Sequence, residues 1–223
     1  MLTTTKLYDI FHIVNGEHSD PHTVLGMHEM EEDGRKAVVV RAFLPDAAGI
    51  TVIDYANKRK KYPMERLHAD GFFEVTIADR EEWFRYQLEY TDADGNTWRS
   101  YDPYSFSPTL SEFDRHLFGA GTHYEIYEKM GGRLMTHGAA FSVWAPNAKA
   151  VSVIGDFNNW DARRSPMRRL GESGIWELFL PAAAEGDKYK FHVTQCDGRV
   201  VDKTDPYGVY AEVRPNNASV LYP

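Results

Sequence analysis

The sequence predicts an all-β protein built from two β-sandwich modules in tandem. Three observations support this: the second half of the chain repeats the first, apolar and polar residues alternate along short runs, and turn residues separate these runs. Alternation with a period of two indicates a strand with one buried face, because successive side chains point to opposite faces of a sheet. Several short strands at regular spacing favour antiparallel sandwiches over βαβ units.

The internal repeat predicts the domain organisation. Matching residues lie 101 positions apart at the first proline pair and 103 apart from Met64 onward, which one small gap explains. A fixed offset of this size indicates a fold unit of about one hundred residues. We therefore predict modules over residues 1–108 and 138–223, joined by a connector over residues 109–137. Matching segments include Phe43-Leu44-Pro45 with Trp144-Ala145-Pro146, Gly71-Phe72-Phe73-Glu74 with Gly174-Ile175-Trp176-Glu177, and Asp102-Pro103-Tyr104 with Asp205-Pro206-Tyr207.

A short helix is predicted before the first strand. Thr5 is a suitable N-cap and Gly16 a suitable C-terminal stop. Four apolar residues between them recur at i, i+3, i+4 and i+7, which forms one stripe along a helix. We expect this stripe to pack on the first module. The four residues are Leu7, Ile10, Phe11 and Val14.

Strands follow in both modules. Residues 84–90 alternate between aromatic or aliphatic and polar side chains, and Asp94-Gly95-Asn96 closes a hairpin because glycine tolerates the positive φ of such turns. Residues 188–193 alternate in the same way in the second module. This alternation directs Lys190 outward, away from the core.

The connector is expected to be partly helical. Short helical patterns occur around residues 113–118 and 126–130, and Gly131-Gly132 ends the second of them. Aromatic residues and leucine are frequent in this segment, so we expect it to pack against a module and not to behave as a flexible linker.

Charge narrows the classes of partner. The net charge is −8, with 13 Lys and Arg against 21 Asp and Glu in residues 1–116 and 12 of each kind in residues 117–223. An acidic first half argues against nucleic acid as a partner. The four arginines within residues 163–169 have acidic neighbours and are expected to form a solvated loop face.

A cytoplasmic location is expected. Cys196 is the sole cysteine, which excludes an internal disulfide and suits a reducing compartment. No apolar run of the length of a signal peptide or a membrane span follows the first residues, so no membrane is expected as a partner.

The segment Gly155-Asp156-Phe157-Asn158-Asn159-Trp160 is the richest candidate for function. Its Gly, Asp and Asn residues form turns, so one interpretation is a loop whose Trp160 lies in the core. The other places the indole on the surface, where it covers the apolar C–H face of a pyranose ring while Lys190 and nearby amides bond the hydroxyl groups. The residues alone leave both interpretations open.

Motifs along the chain resemble those of a known family. Residues 155–160 and Tyr189-Lys190-Phe191 are similar to the glycogen-binding modules of branching and debranching enzymes and of the β subunit of AMP-activated protein kinase. Nearly the whole chain resembles, in order, the N-terminal region of bacterial 1,4-α-glucan branching enzymes. The motifs are His18-x-Asp20-Pro21-x3-Leu25-Gly26-x-His28, His116-Leu117-Phe118-Gly119-x-Gly121, Phe141-x-Val143-Trp144-Ala145-Pro146, Gly174-x-Trp176-Glu177-Leu178-Phe179 and Lys203-x-Asp205-Pro206-Tyr207.

The resemblance implies immunoglobulin-like sandwich modules of the glycogen-binding type, without catalysis by this chain alone. In the family these segments precede a catalytic (β/α)₈ barrel, which needs about 250 residues. The 223 residues here leave no room for it, and the catalytic carboxylates of the family belong to that barrel. None is assigned. The parent enzyme is a glycosyltransferase of glycogen biosynthesis, which cleaves an α-1,4 glucan chain and transfers it to a 6-hydroxyl.

The resemblance also implies a carbohydrate site on the second module. The stacking tryptophan of the family's loop maps to Trp160, the lysine of its Tyr-Lys-Phe strand to Lys190, and a loop asparagine to Asn217, with Asn216 as the alternative. The family's second stacking tryptophan falls on Val200, so half of the platform is absent and weak binding is expected.

The first module departs further from this pattern. Its segment Asp54-Tyr55-Ala56-Asn57 has no tryptophan where Trp160 would fall, and Gln87 stands in the place of Lys190. Trp98 lies one position from the absent platform, and a core or interface role is favoured for it.

No cofactor or metal is expected. His18, His22 and His28 have spacings, with a proline between them, that fit no common metal site. The carboxylates Asp156 and Asp205 lie in turn motifs, whereas glycosidic chemistry requires a facing pair.

These observations predict a non-catalytic part of a branching enzyme that binds or positions α-glucan, such as glycogen or maltooligosaccharide, for a barrel supplied in cis or in trans. Two alternatives stay open: a structural collar that docks on a barrel without binding glucan, and a free-standing regulatory glucan-binding protein. The absent second tryptophan favours the collar, whereas Trp160 with Lys190 favours binding.

Overall fold

The computed structural model describes residues 4–32 and 34–223 and confirms the all-β prediction. The chain divides into two compact units. Unit 1 takes in Met1–Asn15 and His22–Ser105, and unit 2 takes in Gly16–Pro21 and Phe106–Pro223.

Unit 1 contains one α-helix and two antiparallel sheets. The sheets have the strand orders β1-β2-β6-β5 and β4-β3-β7-β8. Side chains from both sheets, such as Val40, Val52, Phe73 and Leu88, meet in one buried cluster, so the two sheets form a sandwich. The elements are α1 Leu7–Val14, β1 Gly26–Glu32, β2 Arg35–Phe43, β3 Gly49–Asp54, β4 Lys61–Pro63, β5 Glu65–His68, β6 Phe72–Ile77, β7 Tyr86–Thr91 and β8 Thr97–Ser100.

Unit 2 repeats the first of these sheets, whereas its second sheet contains two further strands without a counterpart in unit 1. Its sheets have the orders β12-β13-β10-β9 and β11-β14-β17-β16, and β15 also pairs with β14. The buried Phe141 ring contacts the rings of Phe157 and Tyr189, with centroids at 5.3 and 5.0 Å respectively. The elements are α2 Glu112–Gly119, β9 Gly131–Met135, β10 Gly138–Trp144, β11 Ala148–Gly155, β12 Arg168–Arg169, β13 Ile175–Leu180, β14 Lys188–Gln195, β15 Val200–Lys203, β16 Tyr210–Ala211 and β17 Ser219–Val220.

The register of the strands confirms the internal repeat. Ile53 pairs with Gln87 between β3 and β7, and Ile154 pairs with Lys190 between β11 and β14. The two pairs are related by the offsets read from the sequence, 101 on one strand and 103 on the other. Gln87 and Lys190 therefore occupy equivalent positions.

In both units a buried glutamate from a strand accepts hydrogen bonds from the residues that precede a helix. Glu74 accepts hydrogen bonds from the Thr4 N–H at 3.0 Å and from the Thr5 hydroxyl at 2.8 Å, directly before α1. Glu177 accepts from the Thr109 N–H and the Leu110 N–H, both at 3.0 Å, directly before α2. The repeat thus includes a helix, and α2 is the counterpart of α1.

The N-terminal helix has the predicted span but a different buried face. Ile10, Ile13 and Val14 are buried, whereas Leu7 and Phe11 are 79% and 59% exposed. Both sets satisfy a helical spacing, so the sequence could not distinguish them. The N-cap is Lys6 and not Thr5, because the Thr5 hydroxyl donates to Glu74 instead.

The connector differs from the prediction in its second half. α2 and a 3₁₀ turn at Ile126–Glu128 match the predicted helical pieces, but Gly131–Met135 forms the edge strand β9. A Cβ on Gly132 would lie 2.5 Å from the Tyr189 hydroxyl oxygen. The glycine pair therefore admits the tyrosine to the strand, and does not merely end a helix.

One of the clustered arginines is buried, contrary to the expected solvated face. Arg168 pairs with the buried Glu177 at 3.1 Å and donates to the Phe106 carbonyl at 3.0 Å. Glu177 is fully buried and also accepts bonds from two backbone amides, so its carboxylate is satisfied. The buried Nε of Arg168 has no hydrogen-bond partner among the described residues.

Candidate functional site

The loop after β11 is held closed by one asparagine. Asn158 is buried, and its Oδ1 accepts from the Gly155 N–H at 2.9 Å. Its Nδ2 donates to the Val153 carbonyl and to the Ser165 hydroxyl, both at 2.9 Å. The side-chain amide therefore uses its acceptor and both donors, which is a structural role that the sequence did not distinguish from turn formation.

The loop places Trp160 at the surface in a constrained backbone conformation. Asn159 and Trp160 have φ of 56° and 60°, in the left-handed region. Asparagine tolerates this region, but tryptophan does so at a cost of about 1–3 kcal/mol. The Trp160 N–H donates to the Gly155 carbonyl at 3.0 Å. The indole is 39% exposed, so Trp160 is not a core residue.

Asp156 fixes the orientation of the indole. Its Oδ1 accepts from Trp160 Nε1 at 3.1 Å, and its Oδ2 accepts from the Lys188 N–H at the start of β14 at 3.0 Å. A single carboxylate thus ties the tryptophan to the strand that carries Lys190. A ring held in this way loses little freedom when a ligand stacks on it.

Lys190 lies on the outer face of its sheet, as predicted. Its neighbours Tyr189 and Phe191 are buried, whereas Lys190 is partly exposed. Lys188, on the same face, pairs with Glu212 at 3.1 Å. Lys190 forms no ion pair among residues 4–32 and 34–223, so its ammonium group retains donors for a ligand.

Asn217 directly precedes the Ala218 that leads into β17, near the point where β14 changes its partner strand. β14 pairs with β17 up to Tyr189 and with β15 from Phe191 onward, so the partner strand changes at Lys190. The Asn217 carbonyl accepts from the Thr204 hydroxyl at 2.7 Å, at the end of β15.

The side-chain amides of the two candidate asparagines differ. Asn216 Nδ2 donates to Glu212 at 3.4 Å. The Asn217 side chain is exposed and makes no hydrogen bond within the described parts of the chain. The structure therefore favours Asn217 over Asn216 as a residue free to meet a ligand.

Two further positions were considered for a ring that stacks on a sugar, Val200 in unit 2 and Trp98 in unit 1. Val200 pairs with Thr194 at the start of β15 and is 52% exposed, so that position offers only an aliphatic surface. In unit 1, Trp98 is 46% exposed and contacts the Tyr90 ring at 5.8 Å, so it is not a core residue.

The histidines considered for a metal have separate environments. His18 Nδ1 accepts from the Asp20 N–H at 3.1 Å, and His28 Nε2 lies 3.0 Å from the Leu25 carbonyl. The His22 ring packs edge-on against Tyr104 at 5.0 Å. Across residues 4–32 and 34–223, no group of three or more His, Cys, Asp or Glu side chains is arranged to hold a metal ion.

The candidate carboxylates serve the fold. Asp205 accepts from Tyr189, Gly132 and Tyr207, and Asp156 orients Trp160.

Among the helices that the structure describes, none has the length and apolar character needed to cross a membrane.

Two family models match the chain in succession. Residues 6–104 match the N-terminal domain of the α-1,4-glucan branching enzyme GlgB. Residues 126–208 match carbohydrate-binding module 48, the N-terminal domain of isoamylase.

Similar curated proteins are 1,4-α-glucan branching enzymes. The chain is 45% identical over 223 residues to that of Thermosynechococcus vestitus and 42% identical over 225 residues to that of Nostoc sp.. These alignments cover 98% and 99% of this chain but 29% of each relative. A crystal structure of pullulanase from Anoxybacillus sp. aligns with 89% of this chain and 28% of its own, at 14% identity and a TM-score of 0.38.

Proposed function

Because this chain belongs to the 1,4-α-glucan branching enzyme family, as its N-terminal region, we propose that its second module binds α-glucan. The catalytic domain of those glycosyltransferases is not within these 223 residues. The observation that carries the proposal is the exposed indole of Trp160, which Asp156 links to the start of the strand whose Lys190 retains free donors.

The chemistry of this surface suits a sugar. An indole covers the C–H face of a pyranose ring, and an ammonium group and a side-chain amide bond its hydroxyl groups. Trp160 supplies the first, Lys190 the second and Asn217 the third.

Binding is expected to be weak. Val200 leaves the second stacking position aliphatic, so one ring carries most of the apolar contact. One stacking ring and two polar side chains support a dissociation constant on the order of millimolar for a short maltooligosaccharide. Branched glycogen presents many chain ends and raises the apparent affinity.

We further propose that the chain holds glucan for a catalytic barrel, in cis or in trans. The relatives that it matches are named 1,4-α-glucan branching enzymes, and that name supports glucan as the ligand. The chain by itself is expected to have no turnover. A cytoplasmic location remains our proposal from the single cysteine.

The structural collar remains the second candidate, for a specific reason. Leu7 and Phe11 are exposed on α1, and Val200 occupies the second stacking position. Exposed apolar side chains suit a surface that docks on another protein domain. The collar predicts no binding of glucan by this chain.

Mobility on native gels with and without glycogen distinguishes the two candidates. We expect glycogen to retard the wild-type chain and to leave Trp160→Ala unaffected. Trp144→Ala is the matched control, because Trp144 is an exposed tryptophan of the same unit that packs on Phe118 at 6.1 Å. Equal mobility of the wild-type chain in all gels would reject glucan binding and favour the collar.

A further inference from the structure

We propose that unit 1 carries a second carbohydrate-binding surface, formed by Tyr55, Arg85 and Tyr101, which takes a pyranose ring of the same α-glucan. We call these three residues the tyrosine–arginine cluster. The identity of the sugar rests on the proposed function of the second module, whereas the surface consists of residues of unit 1 alone.

The cluster aligns with residues that adjoin the candidate site of unit 2. Gln87 pairs with Ile53 as Lys190 pairs with Ile154, so the two outer sheet faces have the same register. The offsets of the repeat then align the cluster with residues around Trp160 and Lys190. The aligned pairs are Tyr55 with Asp156, Arg85 with Lys188, and Tyr101 with Thr204.

The guanidinium group of Arg85 contacts the rings of both Tyr55 and Tyr101, which lie side by side. Their centroids are 5.9 Å apart with an angle of 35° between the planes. The guanidinium carbon of Arg85 lies 4.5 Å from the centroid of Tyr55 and 5.1 Å from that of Tyr101. Contacts of this kind are worth about 0.5–1 kcal/mol each at an exposed site.

Hydrogen bonds hold the same three residues together. Arg85 donates to the Tyr101 hydroxyl at 3.3 Å, and the Tyr55 N–H donates to the Arg85 carbonyl at 3.0 Å. A hydrogen bond with the Tyr55 side chain raises the pKa of Tyr101 above its ordinary value. The aromatic surface is therefore organised before any ligand arrives, which lowers the entropy lost on binding.

The cluster is accessible and chemically suited to a sugar. Tyr55 is 39% exposed, the same fraction as Trp160, and Arg85 is exposed. Arg85 forms no ion pair in the part of the chain that the structure describes, so its remaining N–H groups can donate to sugar hydroxyls. Gln87 follows on the same face and adds an amide.

The core does not need these rings. The residue after Arg85, Tyr86, is the buried one. Its hydroxyl donates to Asp102 at 2.5 Å and so joins β7 to the end of the unit. Tyr55 follows β3 and Tyr101 follows β8, where both rings lie outside the buried cluster of the sandwich. Replacement of either tyrosine by alanine should therefore leave the fold intact.

The test is a titration of the full 223-residue chain with maltoheptaose, followed by ¹⁵N amide NMR. In the Trp160→Ala variant, we expect the amide signals of Arg85 and Gln87 to shift. Adding Tyr55→Ala or Tyr101→Ala to that variant should weaken this response roughly fivefold. Trp98→Ala, on the same strand pair but with its ring on Tyr90, is the control and should leave the response unchanged.

The two sites have separate reporters, so their failures are distinguishable. Shifts at Lys188 and Lys190 without shifts at Arg85 and Gln87 in the wild-type chain would overturn the second surface and leave the proposed function in place. Shifts at Arg85 and Gln87 alone would support the second surface and reject the site at Trp160. An absence of shifts at both would reject both.

Discussion

The Tyr189 hydroxyl donates a hydrogen bond of 2.5 Å to Asp205 Oδ2, and the Tyr86 hydroxyl makes the same 2.5 Å bond to Asp102 in unit 1. Both pairs span 16 residues and join the centre of a sheet to the turn that leaves it. They explain why the Asp-Pro-Tyr motif occurs twice: the aspartate anchors its own turn and a buried tyrosine together.

Removing either tyrosine hydroxyl should destabilise its own unit. In Tyr189→Phe, Asp205 keeps the amides of Gly132 and Tyr207, at 2.8 Å each. In Tyr86→Phe, the Asp102 side chain keeps the Tyr104 N–H at 2.9 Å. We expect losses of about 1–3 kcal/mol, larger for Tyr86→Phe because its aspartate is left with fewer donors.

Urea unfolding followed by fluorescence measures this loss. Tyr124→Phe, at a highly exposed tyrosine, is the matched control and should change the free energy of unfolding by less than about 0.5 kcal/mol. Equal stability of Tyr86→Phe and the control would show that the bond does not stabilise the unit.

The stability of unit 1 should depend on pH through two buried carboxyl groups whose pKa values shift in opposite directions on folding. Burial raises the pKa of Asp102 to about 6, from an ordinary value of 3.8. The folded state therefore binds the proton of the Asp102 carboxyl more tightly than the unfolded state does. The protonated group stabilises the fold below pH 3.8, and this contribution is lost as the pH rises through about 6.

Glu74 should behave in the reverse way. Burial acts to raise its pKa, but hydrogen bonds from Thr4, Arg41 and Thr5 outweigh it and hold the pKa below its ordinary value of 4.5. Its contribution to stability is present above 4.5 and is lost as pH falls through the folded value.

Comparison with neutral variants isolates each group. The wild-type minus Asp102→Asn difference in unfolding free energy should increase as pH falls from above 6 to below 3.8. The wild-type minus Glu74→Gln difference should decrease on acidification. If both differences changed in the same direction on acidification, the opposite pKa shifts assigned to Asp102 and Glu74 would be wrong.

Asn158 and Asn217 should separate loop structure from ligand contact. Asn158→Ala leaves the buried Gly155 N–H and Val153 carbonyl without their partner, so we expect a loss of about 2–4 kcal/mol together with loss of glycogen retardation. Asn217→Ala should weaken retardation at unchanged thermal stability. Thermal unfolding and native gels on both variants check this, and a destabilised Asn217→Ala would contradict a ligand role.

Lys190 and Lys188 form a matched pair on one strand face. We expect Lys190→Gln to weaken glycogen retardation severalfold, because it removes donors that bond sugar hydroxyls. Lys188→Gln removes an exposed ion pair with Glu212 and should leave retardation unchanged. Native gels at several glycogen concentrations measure both, and equal effects of the two variants would indicate general charge attraction.

Much of the fold was predictable because it depends on local periodicity. The repeat, the alternation that directs Lys190 outward, the span of α1 and the two helical pieces before β9 all follow from side-chain spacing. Register followed as well, since a shift of one residue would turn every apolar side chain of β14 to the solvent.

The candidate site was predictable only in part. Trp160 and Lys190 were identified by resemblance, but the sequence left the burial of Trp160 open. The carboxylate of Asp156 decides it, because it joins the indole to the start of β14, far along the chain. The tyrosine–arginine cluster was not predicted at all, since its members come from three separate strand ends.

The sequence by itself determined the two sandwich modules, several of their strands and the positions of their helices, because short-range spacing of apolar residues fixes which side chains can share a face. The tertiary structure decided which helix stripe is buried, that Arg168 pairs inside with Glu177, and that Gly131–Met135 is an edge strand. Each of these also depends on a contact far along the chain. Arg168 bonds the Phe106 carbonyl, Gly132 bonds Tyr189 and Asp205, and the buried stripe of α1 packs with Phe43 and Phe72. Long-range partners, and not local spacing, select among arrangements that are locally equivalent.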